Sequence, residues 1–169
     1  MENILIPRRL EGRAERYKII IQRQIQEYIK NGSSGNLYLY KTPIEKLPDN
    51  LIKVSGSFWL GRSKIKTLNN VEIVKTHLDL QDATIESLGN LKEVGHHFSL
   101  TNTPIKSLGI LEYIGGNFHL RDTKIESLDN LKYIGGDLML QGTSIAKNCT
   151  KEEIREMIEV KGEIYMKYK

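Results

Sequence analysis

The feature that most constrains the fold of this chain is an internal repeat whose apolar residues return every 20 residues. The segment at residues 115–120 is followed by a near-copy at residues 135–140. The apolar positions of the two copies agree, whereas the residue between them changes from His119 to Met139. A fixed period of this length predicts a solenoid, in which each unit stacks on the next.

Six units of this kind follow one another in register. Each has an apolar pair in the order Leu-x-Leu or Phe-x-Leu, which has the period of a β-strand with both side chains on one face. The later spacing Ile-x-x-Leu-x-x-Leu favours an irregular or 3₁₀-like return path. A lone unit buries too little apolar surface to offset its ordering entropy, whereas stacked units share their apolar faces. The isoleucine column is complete at Ile44, Ile65, Ile85, Ile105, Ile125 and Ile145.

A column of small residues lies two positions before each isoleucine. Four of its six members are threonine, and we expect their hydroxyls to bond the backbone of the neighbouring coil. The column consists of Thr42, Ser63, Ala83, Thr103, Thr123 and Thr143.

The segment LYLYKTPIEKLPDNL at residues 37–51 follows the order L-x-L-x-x-N-x-L-x-x-L-P, with Thr42 in place of the asparagine. Over residues 35–147 the chain therefore resembles the leucine-rich repeat family, in its short bacterial type with 20-residue units. Its Gly-Gly-ended units are also similar to those of bacteriophage and bacterial leucine-rich-repeat proteins. The resemblance implies an α/β repeat solenoid, here a stack of about seven parallel strands with N- and C-terminal helical caps. An inhibitor that occupies a host or defence protein is a function that the phage resemblance implies.

The residues before the repeat, 1–34, are predicted to form an N-terminal helical cap. Apolar residues recur there at three- and four-residue steps, which is typical of an amphipathic helix that covers an open coil. Asn31 and Gly32 supply a helix stop. The stripe consists of Leu10, Ala14, Tyr17, Ile21, Ile25 and Tyr28, widened by Ile19, Ile20 and Ile29.

The residues after the repeat, 148–169, are predicted to form a C-terminal helical cap and a final strand. Thr150 and Glu153 have the spacing of a capping box, which opens a helix to about Val160. The segment at residues 160–166 then matches residues 134–140 position for position. The last unit therefore replaces its return path with a helix and adds a seventh strand.

The positions between and beside each apolar pair should point away from the core, and they vary from unit to unit. Because large aromatic residues dominate interface hot spots, we predict that these positions form a protein-binding surface. In the alternative, Ile4, Leu5 and Ile6 fold back and cover its aromatic end. The predicted binding residues are Tyr38, Tyr40, Trp59, Asp79, Gln81, His97, Ser99, Thr101, His119, Arg121, Met139, Gln141 and Tyr165.

Histidines on neighbouring strands raise the question of a metal site. His77 and His97 share a column near Asp79, and imidazole and carboxylate suit zinc or nickel. Side chains on a flat sheet rarely converge on one point, however, and His96 should alternate to the other side. We therefore predict surface polar residues that bind no metal or cofactor, and a binding surface that is sensitive to pH.

The sequence lacks the motifs of common enzymes. It contains no GxSxG, phosphate loop, HExxH or paired cysteines. Its one cysteine, Cys149, precedes a capping helix, so we predict a protein that is not an enzyme, in a reducing cytoplasm. No apolar run approaches the roughly 20 residues that span a bilayer. Glu2 and Ile4 precede the arginines, an order that predicts no secretory signal.

A nucleic-acid-binding protein is the alternative to the protein-binding module. The chain has a net charge of +4, and the N-terminal segment concentrates basic residues among Glu11, Glu15 and Glu27. An ordinary solvated helix face explains this pattern better, so another protein is the favoured partner. The candidate nucleic-acid-binding residues are Arg8, Arg9, Arg13, Arg16, Lys18 and Arg23.

Overall fold

A computed structural model describes residues 12–167 of the chain. Short strands follow an N-terminal helix, and two short helices precede the last pair of strands. The elements in chain order are α1 (Arg13–Lys30), β1 (Leu37–Tyr38), β2 (Lys53–Val54), β3 (Phe58–Trp59), β4 (Ile73–Val74), β5 (Leu78–Asp79), β6 (Glu93–Val94), β7 (Phe98–Ser99), β8 (Tyr113–Ile114), β9 (Phe118–His119), β10 (Tyr133–Ile134), β11 (Leu138–Met139), α2 (Ile145–Asn148), α3 (Lys151–Met157), β12 (Glu159–Val160) and β13 (Ile164–Tyr165).

The seven odd-numbered strands form one parallel sheet, in the order of the chain from β1 to β13. Its register pairs equivalent repeat positions: Leu37 lies opposite Phe58, and Leu78 lies opposite Phe98. The 20-residue period is therefore the length of one solenoid turn. The predicted repeat solenoid of about seven parallel strands with terminal helices is confirmed.

The six even-numbered strands form a second parallel sheet, which the sequence analysis did not predict. Each of these strands ends on the apolar position that closes a unit, as Val54 and Ile114 do. The stretch from Ile44 to Leu51 is irregular, as expected, with an isolated bridge from Lys46 to Thr67. The extended residues that follow it stack in register, so each gains hydrogen-bond partners in the adjacent coil.

The core is the space between the two sheets. Every member of the isoleucine column is buried there, together with both members of each complete apolar pair. Phe98 and Phe118 stack with ring centroids 5.2 Å apart, so equivalent side chains of successive coils pack on one another. This arrangement explains the constancy of the apolar columns, since each coil supplies the surface that buries the next.

Glycine at the start of the later units permits the coils to stack closely. A Cβ on Gly115 would lie 2.0 Å from the carbonyl oxygen of Gly95. No larger residue fits there without displacing the backbone of the preceding coil.

The prediction that the threonine hydroxyls bond the backbone of the neighbouring coil is wrong. The Thr42 hydroxyl donates to the carbonyl of Leu39, 2.8 Å away in its own coil, and Thr103 does the same to Leu100 at 2.7 Å. The chain turns sharply between strand and threonine through a residue with positive φ, such as Lys41 at 56°. That turn directs the hydroxyl at the carbonyl three residues earlier.

Side chains that lie just before the strands do form hydrogen bonds to the backbone of the neighbouring coil. Asn36 accepts the backbone N–H of Ser57 at 2.8 Å, and Asn117 accepts that of Asp137 at 2.9 Å. Asp137 in turn accepts the N–H of Glu163 at 2.8 Å. These bonds link successive strands at the edge of the seven-stranded sheet.

The N-terminal cap is confirmed in its main features. Ile21 and Ile25 of α1 are buried against the first coil, and Tyr28 and Ile29 pack beside them. The helix ends at Lys30, followed by the predicted Asn-Gly stop. Leu10 lies outside the described residues.

Two members of the predicted stripe are not covered. Tyr17 is 46% exposed and Ile20 is 54% exposed, because the helix contacts the coil mainly through its C-terminal half. Ala14 belongs to α1, but its side chain is not described.

The C-terminal cap contains the predicted capping box. Thr150 accepts the N–H of Glu153 at 3.2 Å, and the Glu153 carboxylate accepts the N–H of Thr150 at 2.7 Å. α3 ends at Met157, earlier than predicted, because Glu159 and Val160 join the second sheet. Ile164 pairs with Leu138, so the predicted final strand and its register are confirmed. Within residues 12–167, no helix has the length and apolar character needed to cross a membrane.

Candidate protein-binding face

The exposed side of the seven-stranded sheet, which we call the outward face, begins with a row of rings. Tyr38 and Trp59 lie side by side on β1 and β3, with ring centroids 6.5 Å apart and planes within 2°. His77 lies 6.5 Å from the indole of Trp59, and His97 lies 5.1 Å beyond His77. Tyr38 and Trp59 occupy equivalent strand positions, and His77 and His97 occupy equivalent positions just before the next two strands. We call these four successive rings the aromatic row.

The N-terminal end of the aromatic row is open in the described structure. Tyr38 is 58% exposed, and Tyr40 beside it is also exposed, whereas Trp59 is half-buried between its neighbours. The indole Nε1 is buried without a hydrogen-bond partner among the described residues. The alternative in which Ile4, Leu5 and Ile6 cover this patch lies outside those residues.

Three histidines lie together at the C-terminal end of the aromatic row, and the position of His96 differs from the sequence-based prediction. The His96 ring lies 5.4 Å from that of His77 and 6.3 Å from that of His97, not on the opposite side. Residues 95 and 96 form a bend between β6 and β7, where the alternation of an extended strand does not apply.

The tautomer of His97 is set by the ladder between coils. Its Nδ1 accepts the backbone N–H of Asn117 at 2.9 Å, so the proton of the neutral ring lies on Nε2. Burial lowers the pKa of His77, and the neighbouring His97 and His96 lower it further. The lowered pKa favours the uncharged form of His77 in the folded protein.

A shallow groove of about 570 Å³ follows the centre of the outward face. Asp79 lies on its floor and accepts the N–H of Gln81 at 2.9 Å. Burial raises the pKa of the Asp79 carboxyl, the hydrogen bond from the Gln81 N–H opposes this rise, and the charge of Asp82 adds to it. Ser99 lies on β7 and Thr101 lies two residues further along the chain. Both are half-buried, and their hydroxyl oxygens are 3.4 Å apart.

The C-terminal end of the outward face is less accessible than predicted. Met139 is 8% exposed and Gln141 is 5% exposed, so neither is an accessible binding residue. Met139 lies in register between the ring side chains of His119 and Tyr165 on the adjacent strands. Gln141 accepts a hydrogen bond from Arg121 Nε at 3.1 Å.

His119 and Arg121 are half-buried at this end, and Tyr165 is exposed. Burial lowers the pKa of His119, Arg121 and His97 lower it further, and Asp137 opposes them. The outward face therefore offers aromatic side chains at one end and mixed polar side chains at the other.

The lowered pKa values predict that stability falls with acid. An unfolded histidine titrates near 6.5, whereas folded His77 and His119 bind their protons only at lower pH. Between these values the unfolded chain binds more protons, so the free energy of unfolding decreases as pH falls from above 6.5 through the folded pKa values. Urea melts across this range should show the decrease, and a variant with His77→Gln and His119→Gln should show a flatter profile. An equal slope in both proteins would contradict the assignment.

The candidate nucleic-acid residues are only partly assembled into one surface. Lys18 lies 3.9 Å from Glu45, which supplies a counter-charge, and Arg16 lies near the first turns of the solenoid. Arg23 belongs to the same helix. The Arg13 side chain is not described, and Arg8 and Arg9 lie outside the described residues.

A second groove, under the N-terminal half of α1, was not predicted. Its lining includes the exposed Tyr17 and Ile20 and the cations Lys41 and Lys64. The sequence contains a signal for it, since the turn position with positive φ is basic in the first two units, at Lys41 and Arg62, and acidic or neutral in the later ones. Only the docking of α1 shows that these residues share a groove.

The described structure presents no arrangement of three or more His, Cys, Asp or Glu side chains suited to a metal ion. Cys149 is half-buried and free of disulfide bonding. Comparison of the chain with protein-family models, curated proteins and solved structures finds no match.

Proposed function

We propose that this chain is a non-catalytic protein-binding module of the leucine-rich repeat type, with the outward face as its binding surface. The observation that supports this most is the aromatic row, which begins with the exposed ring of Tyr38 and has the exposed Tyr40 beside it. Tyrosine and tryptophan bury large areas on binding and lose little side-chain entropy, so they are frequent anchors of protein interfaces. Trp59 is already held between its neighbours and would lose less freedom still.

The charges of the outward face favour a protein over a nucleic acid. Its cations are Arg121 and Lys167, while Asp79, Asp137 and Glu163 supply carboxylates just beside their strands' core residues Leu78, Leu138 and Ile164. A surface for phosphates needs clustered Lys and Arg, and carboxylates beside them repel the ligand. The polar residues are suited instead to setting specificity around the aromatic anchors.

In this proposal the chain acts by binding its partner and blocking the surface that it covers. A bacteriophage protein that inhibits a host or defence protein in the cytoplasm is the version that we favour, because a rigid stack offers a preformed surface and needs no catalytic residue. A nucleic-acid-binding role for α1 is the competing proposal, and the cations near its start are the observation in its favour.

Substitutions on the outward face test the proposal. The full chain is used to capture a partner from nuclease-treated cell lysate, and binding is then titrated with purified components. Trp59→Ala and Arg121→Glu are each expected to weaken binding about tenfold, or about 1.4 kcal/mol. Tyr113→Ala is the matched control, since Tyr113 is an exposed tyrosine stacked on Tyr133 in the other sheet. It should leave the affinity nearly unchanged.

The competing proposal makes the opposite prediction. If α1 binds nucleic acid, reversing Arg13 and Arg16 to glutamate abolishes binding and Trp59→Ala does not. The affinity would then fall steeply as salt is raised, because phosphate contacts release counterions. That result would refute the outward face as the binding site. Melting curves of each variant separate loss of binding from loss of folding.

A further inference from the structure

The groove under α1 is a separate surface from the outward face. It lies between the N-terminal half of the helix and the turns that follow β1 and β3, and it has a volume of about 970 Å³. It is open to solvent along its length, so it is suited to an extended segment more than to an enclosed small molecule. Its lining consists of Arg16, Tyr17, Ile20, Lys41, Thr42, Pro43, Arg62 and Lys64.

The walls of the groove are apolar. Ile20 is more than half exposed and Tyr17 nearly so, although Ile21 and Ile25 of the same helix are buried. Pro43 forms the facing wall from the first coil. Exposed aliphatic and aromatic side chains on two facing elements provide a place for an apolar side chain of a partner.

The rim of the groove is cationic and largely uncompensated. Arg62 lies 3.2 Å from a carboxylate oxygen of Asp82. Within residues 12–167, no carboxylate lies within ion-pair distance of Arg16, Lys41 or Lys64. The Lys41 ammonium is 5.2 Å from the centroid of the Tyr40 ring, which attracts it without neutralising it.

Solenoid stacking does not require these cations. Lys41 and Arg62 occupy a turn position with positive φ, and Asp82, Asn102 and Asp122 occupy the same position in later units. The turn therefore accepts acidic and neutral side chains equally. Basic residues gather at it only in the two units that face α1.

We propose that this groove binds an acidic peptide segment of a partner protein, with an apolar side chain between Ile20 and Pro43 and carboxylates on the rim. Charge complementarity selects the acidic sequence, and the apolar walls select an apolar anchor. Apolar walls of this kind do not suit a nucleic-acid backbone, which needs a charged track. This inference does not depend on the outward face.

The test uses a displayed library of random peptides selected against the full chain. Enriched peptides should combine Asp or Glu with Leu, Ile, Phe or Trp. A synthetic copy of an enriched peptide should bind Lys64→Glu and Ile20→Ser about tenfold more weakly than the parent chain.

Matched controls come from the repeat itself. Lys124 occupies the position of Lys64 three coils away from the groove, and Ile110 is a distant exposed isoleucine. Lys124→Glu, Ile110→Ser and Trp59→Ala should each leave the peptide affinity nearly unchanged. Loss of binding in Trp59→Ala but not in Lys64→Glu would place the peptide on the outward face and overturn the inference.

Other occupants of the groove also give distinct results. Failure to enrich acidic peptides would overturn the inference. That is the result expected if the chain's own residues 1–11 or a second copy of the chain filled the groove. Displacement of the peptide by an equal concentration of a single-stranded oligonucleotide would also overturn the inference, and it would identify a nucleic-acid site. None of these outcomes bears on the binding assay for Trp59→Ala with the captured partner.

Discussion

Removing residues 1–31 is expected to abolish folding of the solenoid or to leave an aggregating protein. Ile21 and Ile25 would be lost, and Leu37 and Leu39 of the first coil, now fully buried, would face water. Burying a large aliphatic side chain contributes roughly 1.5–3 kcal/mol, so four of them approach the 5–15 kcal/mol that holds a typical domain folded. Size-exclusion chromatography and thermal melts of the truncated chain measure the effect.

A point substitution separates the loss of the apolar contact from the loss of chain length. Ile25→Asp places a charge in a fully buried site, whereas Gln22→Asp changes an exposed residue of the same helix. The first should lower the melting temperature sharply and the second should change it little. A truncated chain that stays monomeric and melts like the full chain would show that α1 is not a cap.

Ile105→Ala is expected to lower the free energy of unfolding by about 2–5 kcal/mol. Ile105 is fully buried in the middle of the isoleucine column, and the rigid coils on either side cannot collapse into the space left by its side chain. Denaturant melts of the two proteins give the difference directly.

Glu86→Ala is the control from the same stretch of the repeat. Glu86 is exposed and forms an ion pair with Lys66 across two coils at 2.5 Å, and exposed pairs contribute at most about 1 kcal/mol. Its loss should therefore cost about 0.5 kcal/mol or less. Equal losses in the two variants would mean that the assigned core columns are wrong.

Stacking explains why so much of the fold is visible in the sequence. Each position in a coil packs against the same position in the next coil. A position that is buried in one coil is therefore buried in every coil. The isoleucine column and the register of Leu138 with Ile164 follow from this alone. The capping box at Thr150 was also predictable, because both of its residues lie within one turn of helix.

The outward face was only partly predictable. The alternation of a strand identifies Tyr38 and Trp59 as outward, but it does not give the exposure of a side chain between the side chains of adjacent strands. Met139 is buried for that reason. His96 was assigned to the wrong side because the chain bends before the strand begins.

The sequence by itself determined the solenoid, its 20-residue turn and the columns of its core, since these follow from a period that is repeated along the chain. Only the tertiary structure decided where side chains from different elements meet. The second sheet depends on hydrogen bonds between coils, and the groove of Ile20 and Lys64 depends on the angle at which α1 packs on the first coil. Such contacts join residues far apart in the chain, and no local spacing encodes them.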